Sequence, residues 1–135
     1  DNAVLRIPEA RAGFIAHCGV VHRVIRQLPH HVAMAMITAS EPLGAQRAFE
    51  LGLINEIVPA KETSKAVKIW TEKLLACSPL ATQAAKQAAL SGVNHALEDA
   101  LNQTYPLIES YQESEDTKEA ALAWQSRREP EWRGR

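Results

Sequence analysis

The sequence predicts a helix-rich α/β chain, and three observations predict it. Alanine is abundant while aromatic residues make up only 5% of the 135 residues, which favours closely packed helices over a sheet sandwich. Two short apolar runs, residues 4–7 and 53–58, each stop at a proline, as strand ends do. From Lys61 onward, apolar residues recur at helical spacing almost to the last residue. A chain of this length suits one domain with a modest core.

Each element has its own local warrant. Residues 4–7 read as a strand ended by Pro8, which cannot donate to a ladder. Residues 13–19 read as a loop. Val20, Val21, Val24, Ile25 and Leu28 mark a helix over 20–28, closed by Pro29. A second helix over 30–38 carries Val32, Met36 and Ile37 on one side. Glu41-Pro42-Leu43-Gly44 is a turn signal. The helix over 45–51 ends at Gly52, a residue suited to a left-handed cap. Leu53, Ile54, Asn55, Glu56, Ile57 and Val58 predict a short strand before Pro59.

Beyond it, Val67, Trp70, Leu74 and Cys77 predict one buried helical stripe. Ser78-Pro79 is a helix start, a hydroxyl cap followed by proline at the first helical position. The helix it opens carries Leu80, Ala81, Ala84, Ala85 and Ala88 on one side and stops at Gly92. A longer helix over 95–111 turns Leu97, Leu101, Leu107 and Ile108 inward, and Pro106 kinks or splits it. Ser114-Glu115-Asp116 opens the last helix with a cap and two acids at the positive dipole end. That helix carries Ala120, Ala121, Leu122 and Trp124 and ends in Arg127-Arg128, and residues 130–135 read as irregular.

Composition narrows the function. A formal charge of -1 leaves no electrostatic footprint for nucleic acid. No apolar run approaches the roughly 18 residues that span a bilayer, so no membrane partner is expected. Cys18 and Cys77 are isolated cysteines without metal-type spacing, which makes a soluble, reducing, cytoplasmic setting the expectation. Glu9 is the leading chemical candidate. A carboxylate at a strand end beside an apolar loop is either a plain surface charge or a group placed for acid/base work. His17, Cys18 and His22 invite a metal or nucleophile reading, but nothing supplies the further ligands or the oriented base these need. His30-His31 reads as a helix N-terminal pair. Arg127, Arg128, Arg133 and Arg135 form a basic cluster beside Trp124 and Trp132. It is either a solvated helix end or a phosphate-binding patch, since arginine forks match phosphate geometry.

Several motifs together resemble one family. Pro8-Glu9-x-x-x-Gly13-x-Ile15, followed by Gly19-x-x-x-Arg23-Val24, is similar to the crotonase superfamily, the enoyl-CoA hydratase/isomerase family. Ala35 and Thr38 fall where that family has a helix ending in a Thr-Gly pair. Ala45-x-x-Ala48-x-x-x-Gly52-Leu53-Ile54-Asn55-x-Ile57-Val58 resembles its most recognisable later segment. Ser78-Pro79-x-Ala81 with Lys86 resembles the start of its C-terminal helices. The ending from Ala123-Trp124-Gln125 through Arg127-Arg128 and Pro130 to Gly134-Arg135 resembles carnitinyl-CoA dehydratase-like members.

The resemblance implies an α/β crotonase-like fold: residues 1–60 the last part of a ββα spiral core, and 61–135 a mainly α-helical oligomerisation region. It implies a hydratase or dehydratase acting on acyl-CoA thioesters, with isomerase chemistry or a non-catalytic assembly module as alternatives. Glu9 falls on the family's second catalytic carboxylate. Pro8, Ala12, His17 and Gly19 fall on the acyl pocket, and Arg127 on a contact to the CoA phosphates. Coenzyme A enters as part of the substrate, with no further cofactor and no metal, and a homotrimer or hexamer is expected. The family's oxyanion-hole amides, first carboxylate and most CoA contacts are expected upstream of Asp1, so the chain alone is expected not to catalyse, and its sheet edge and apolar faces to invite association. Two departures stand out. The glycine-rich loop reads Ala16-His17-Cys18-Gly19-Val20, where valine would resist a left-handed backbone, and the Thr-Gly pair reads Thr38-Ala39.

Overall fold

The computed structural model describes all 135 residues, and they form two compact units, Asp1–Val67 and Lys68–Arg135.

In the first unit the chain enters as strand β1 (Val4–Leu5) and turns at Pro8 into a 3-10 turn, Glu9–Ala12. Helices α1 (Val20–Gln27) and α2 (His30–Ala39) follow. Strand β2 (Leu43–Gly44) then pairs antiparallel with β1, Val4 opposite Gly44 and Leu5 opposite Leu43, and leads straight into helix α3 (Ala45–Glu50). Pro29 separates α1 from α2 by locking the extended step after Leu28. The core gathers Ile7, Ala16, Leu28, Ala33, Met36, Leu43 and Ala48, with Val20, Val24 and Leu53 packed against it. Ala33 and Ala48 have no exposed surface, and their small side chains let α2 and α3 approach the core closely. Glu41-Pro42-Leu43-Gly44 is thus more than a turn, because its second half carries the sheet pairing.

Residues 53–58 correct an expectation, for they form bends and extended chain rather than a strand. Leu53 donates its N–H back to Ala48 at 2.9 Å, and consecutive Leu53 and Ile54 both pack on the core. Neighbours facing the same way defeat the two-residue alternation that a strand needs. The segment is tied at its far end instead, where the amino group of Asp1 donates to the Val58 carbonyl at 2.7 Å. A 3-10 turn, Ala60–Glu62, then leads into helix α4 (Thr63–Leu75).

The second unit holds helices α5 (Pro79–Gly92), α6 (Leu97–Asn102), α7 (Pro106–Gln112) and α8 (Glu115–Ser126). Ser78 caps α5 by accepting from Ala81 N–H, with Pro79 at the first helical position. Pro106 splits the expected long helix in two, and the freed N–H of Leu107 is met by the Gln87 side chain at 2.9 Å. The α5 helix packs against α6 and α7, and a Cβ at Gly92 would lie 3.1 Å from the Tyr105 hydroxyl. Ser114 caps α8 by accepting from Thr117 N–H.

Three apolar expectations fail within the chain. Val67, Trp70, Leu74 and Cys77 are exposed on α4 and just beyond it rather than buried. Leu97 and Leu101 are each 76% exposed, Leu107 is also open, and Ala85 faces outward on α5. Helical spacing correctly gathers these residues on faces, but spacing alone does not provide an element to cover them.

Candidate active site

Glu9 opens a turn that is pinned from both ends. Arg11 N–H donates to Pro8 at 3.1 Å, Gly13 N–H to Ala10 at 3.2 Å and Phe14 N–H to Glu9 at 2.9 Å. Gly13 closes it at φ 80°, a left-handed conformation that glycine adopts without steric cost. Before the turn stands buried Ile7, and α2 packs across it. The Glu9 carboxylate is half-buried, and its Oε2 has no exposed surface and no hydrogen-bond partner. A buried carboxylate oxygen is normally paired, so an unpartnered one on a rigid turn is poised to take a proton or a donor from outside the chain.

Pro8 and Ala12 lie exposed on the same turn as Glu9. His17 is exposed in the loop that follows, and half-buried Gly19 is the N-cap of α1 at φ 78°. Cys18 precedes it at φ 58°, so the left-handed step falls on Cys18 and Gly19. Val20 already lies within α1, where its backbone is right-handed, and the strain expected there does not arise. The helix-ending pair is corrected as well. Helix α2 continues through Ala39, and the left-handed residue is Ser40, at φ 55°. No group of three or more His, Cys, Asp or Glu side chains is arranged to hold a metal ion.

Arg127 belongs to the second unit, at the C-terminal end of α8, with φ 50° and ψ 43°. The tail arginines differ sharply. Arg128 grips Glu119 with both Nη atoms, at 2.5 and 2.9 Å, while Arg133 and Arg135 reach Glu115 at 3.5 and 3.4 Å. Arg127 is the tail arginine with no carboxylate partner, and it lies beside Trp124, which is 88% exposed.

The sequence reading missed the centre of this unit. Asp116, taken as a dipole-end acid, has no exposed surface. It accepts from Ser78 Oγ at 2.9 Å, Arg133 N–H at 2.8 Å and Gly134 N–H at 3.1 Å. Burial pushes its carboxyl up, yet these donors outweigh burial and hold it below the usual range. Glu119 is held at about 2, chiefly by the Arg128 hydrogen bonds and then by Glu131 N–H at 2.8 Å. The Trp132 indole donates to Ala76 at 2.8 Å. An open groove of about 450 Å³ beside this tail is lined by five carboxylates against Lys118, Arg128 and Arg133, the wrong balance for a phosphate. No single-sequence signal separates a buried Asp116 from its exposed neighbour Glu115.

The fold of both units is that of known proteins. The family profile described as enoyl-CoA hydratase/isomerase matches residues 1–135, and the chain belongs to that family. It is 32% identical to 2,3-dehydroadipyl-CoA hydratase of Escherichia coli (strain K12), over 100% of this chain and 53% of that protein. It is 30% identical to (E)-benzylidenesuccinyl-CoA hydratase of Thauera aromatica, over 98% and 52%. Among solved structures, enoyl-CoA hydratase of Mycobacterium tuberculosis H37Rv superposes with a TM-score of 0.91 at 29% identity, over 99% of this chain and 53% of that one. A Novosphingobium aromaticivorans DSM 12444 protein, provisionally assigned as a short chain enoyl-CoA hydratase, reaches 0.93 at 47% identity, over 98% and 53%. The chain spans about half the length of the curated relatives it matches.

Proposed function

We propose that this chain is the C-terminal half of an enoyl-CoA hydratase/dehydratase-type lyase and that Glu9 is its proton carrier. The observation that carries this reading is the sequestered, unpartnered Oε2 of Glu9 on its fixed turn. In hydration, water gives one proton to a carboxylate as its oxygen bonds to the β-carbon of the enoyl thioester, and the electron pair of the double bond moves onto the thioester oxygen. The α-carbon then takes a proton, and dehydration runs the same steps backward. Glu9 gives or takes that proton. Pro8, Ala12, His17 and Gly19 line the acyl pocket, and Arg127, unpaired within its unit, meets the CoA phosphates. Residues 1–60 supply the last part of a spiral core and 61–135 the helical region.

Donors for the developing oxyanion come from the remainder of the complete protein, together with the first carboxylate. Coenzyme A is carried by the substrate and no separate cofactor is used. The complete protein works in the cytoplasm as a trimer or hexamer. No helix is long and apolar enough to cross a membrane, and both cysteines are free.

The test is crotonyl-CoA hydration by the complete protein that carries this chain, followed as loss of enoyl-thioester absorbance. Glu9→Gln keeps the shape and removes the proton carrier, so kcat falls by about 10²–10⁴. Unchanged turnover would remove Glu9 from the mechanism. A folded protein without turnover of enoyl thioesters, still assembled, would favour the assembly-module reading that the exposed apolar faces of α4 and α6 support.

A further inference from the structure

Arg127 holds a left-handed backbone that is strained for a non-glycine residue, and such a conformation persists only where its surroundings impose it. On the helix side the constraints are modest: Arg127 N–H reaches Trp124 at 3.3 Å and Arg128 N–H reaches Ala123 at 3.1 Å. On the tail side the constraint nearest the turn is the Glu119 carboxylate, with the Asp116 clasp on residues 133 and 134 further along. Glu119 accepts both Nη atoms of Arg128 and the backbone N–H of Glu131, and its side chain is only 19% exposed. Arg128, directly after the turn, and Glu131, beyond the tail's proline, therefore converge on Glu119.

We infer that Glu119 is the positioning residue for the Arg127 cation, fixing the turn so that this arginine is presented, already ordered, to the phosphate-bearing end of an acyl-CoA. The inference rests on the reading of Arg127 as a phosphate contact. Glu119 touches no substrate. It acts by removing conformations in which the arginine points elsewhere, and ordering completed before binding appears as affinity. Arg128 is consumed in this frame, which is why the neighbouring arginine remains open for a ligand.

The complete protein is assayed with an acyl-CoA and with the matching acyl-pantetheine thioester, which lacks the CoA phosphates. Arg127→Ala is expected to raise KM for the acyl-CoA about tenfold and to leave the pantetheine KM in place. Glu119→Gln is expected to raise the acyl-CoA KM roughly three- to tenfold at constant kcat, to spare the pantetheine substrate, and to add nothing in the Arg127→Ala background. If Arg127→Ala leaves the acyl-CoA KM where it was, the phosphate reading falls and the positioning role with it. If Arg127→Ala raises that KM and Glu119→Gln does not, or if Glu119→Gln slows both thioesters alike, the positioning role alone is overturned. Should Glu119→Gln fail to fold, Arg128→Lys keeps the charge and loses the fork, and the same split between substrates decides.

Discussion

Glu9 and Ser40 each bury an oxygen without a hydrogen-bond partner, and the two cases call for different explanations. At Glu9 the unmet oxygen sits on the turn that also carries Pro8 and Ala12, two of the other candidate pocket residues. At Ser40 it is a cost with no return in this chain: the residue is buried, left-handed, and its hydroxyl is unmet. Relieving φ > 0 and deleting an unpaired hydroxyl together outweigh the entropy that glycine loses on folding. Ser40→Gly should therefore stabilise the chain by about 1 kcal/mol, seen as a higher urea midpoint at constant slope. Ser40→Ala should gain less, because its Cβ keeps the strain, and a lower midpoint for Ser40→Gly would refute the account. Glu9 was legible in sequence because a strand, a proline and a carboxylate are local signals. Ser40 was not: Gly52 announces its left-handed backbone by its identity, whereas serine gives no such sign.

At the level of elements, starts and stops were read well. Ser78, Pro79, Pro106 and Ser114 act through atoms within a turn of themselves, so the sequence carries the whole mechanism. Asp116 and Glu119 act on partners far along the chain, and single-sequence periodicity holds no record of such pairs. Their titration gives a test. Both carboxyls sit below their ordinary values in the folded chain, Glu119 at about 2. A lowered folded-state pKa contributes stability that is complete above the unfolded value and fades as pH falls through the folded one. Docking of the tail should thus hold at neutral pH and be lost between about pH 4.5 and pH 2. Trp132 emission in a Trp70→Phe, Trp124→Phe background reports it, and release completed above pH 5 would contradict the assignment.

For the molecule as a whole, the accessible surface is 10369 Å² at 14.9 kDa. Even two separate compact globules of half that mass would expose only about 8,500 Å² between them. The excess is apolar in part: Leu75, Leu97 and Leu101 are each about three-quarters open. Patches of that kind mark surfaces that another body covers. The spacing of Leu97 and Leu101 was legible, and their exposure was not, since burial depends on what lies across from a face. In the complete protein, Leu101→Asp should lower the assembled mass seen by light scattering while leaving helix content intact. An unchanged mass would remove α6 from the assembly surface.

The Asp116 clasp also bears on the order in which the chain is made. Its acceptor oxygens are met by Ser78 and by the N–H groups of residues 133 and 134, while the carbonyl of Arg135 takes the first N–H of α8 at 2.7 Å. During synthesis α5 emerges from the ribosome long before those donors do. The second unit therefore cannot close around Asp116 until residues 133 and 134 are available. Ribosomes stalled before residue 133 should hold a protease-sensitive unit, and those stalled beyond the exit tunnel's length past residue 135 a resistant one.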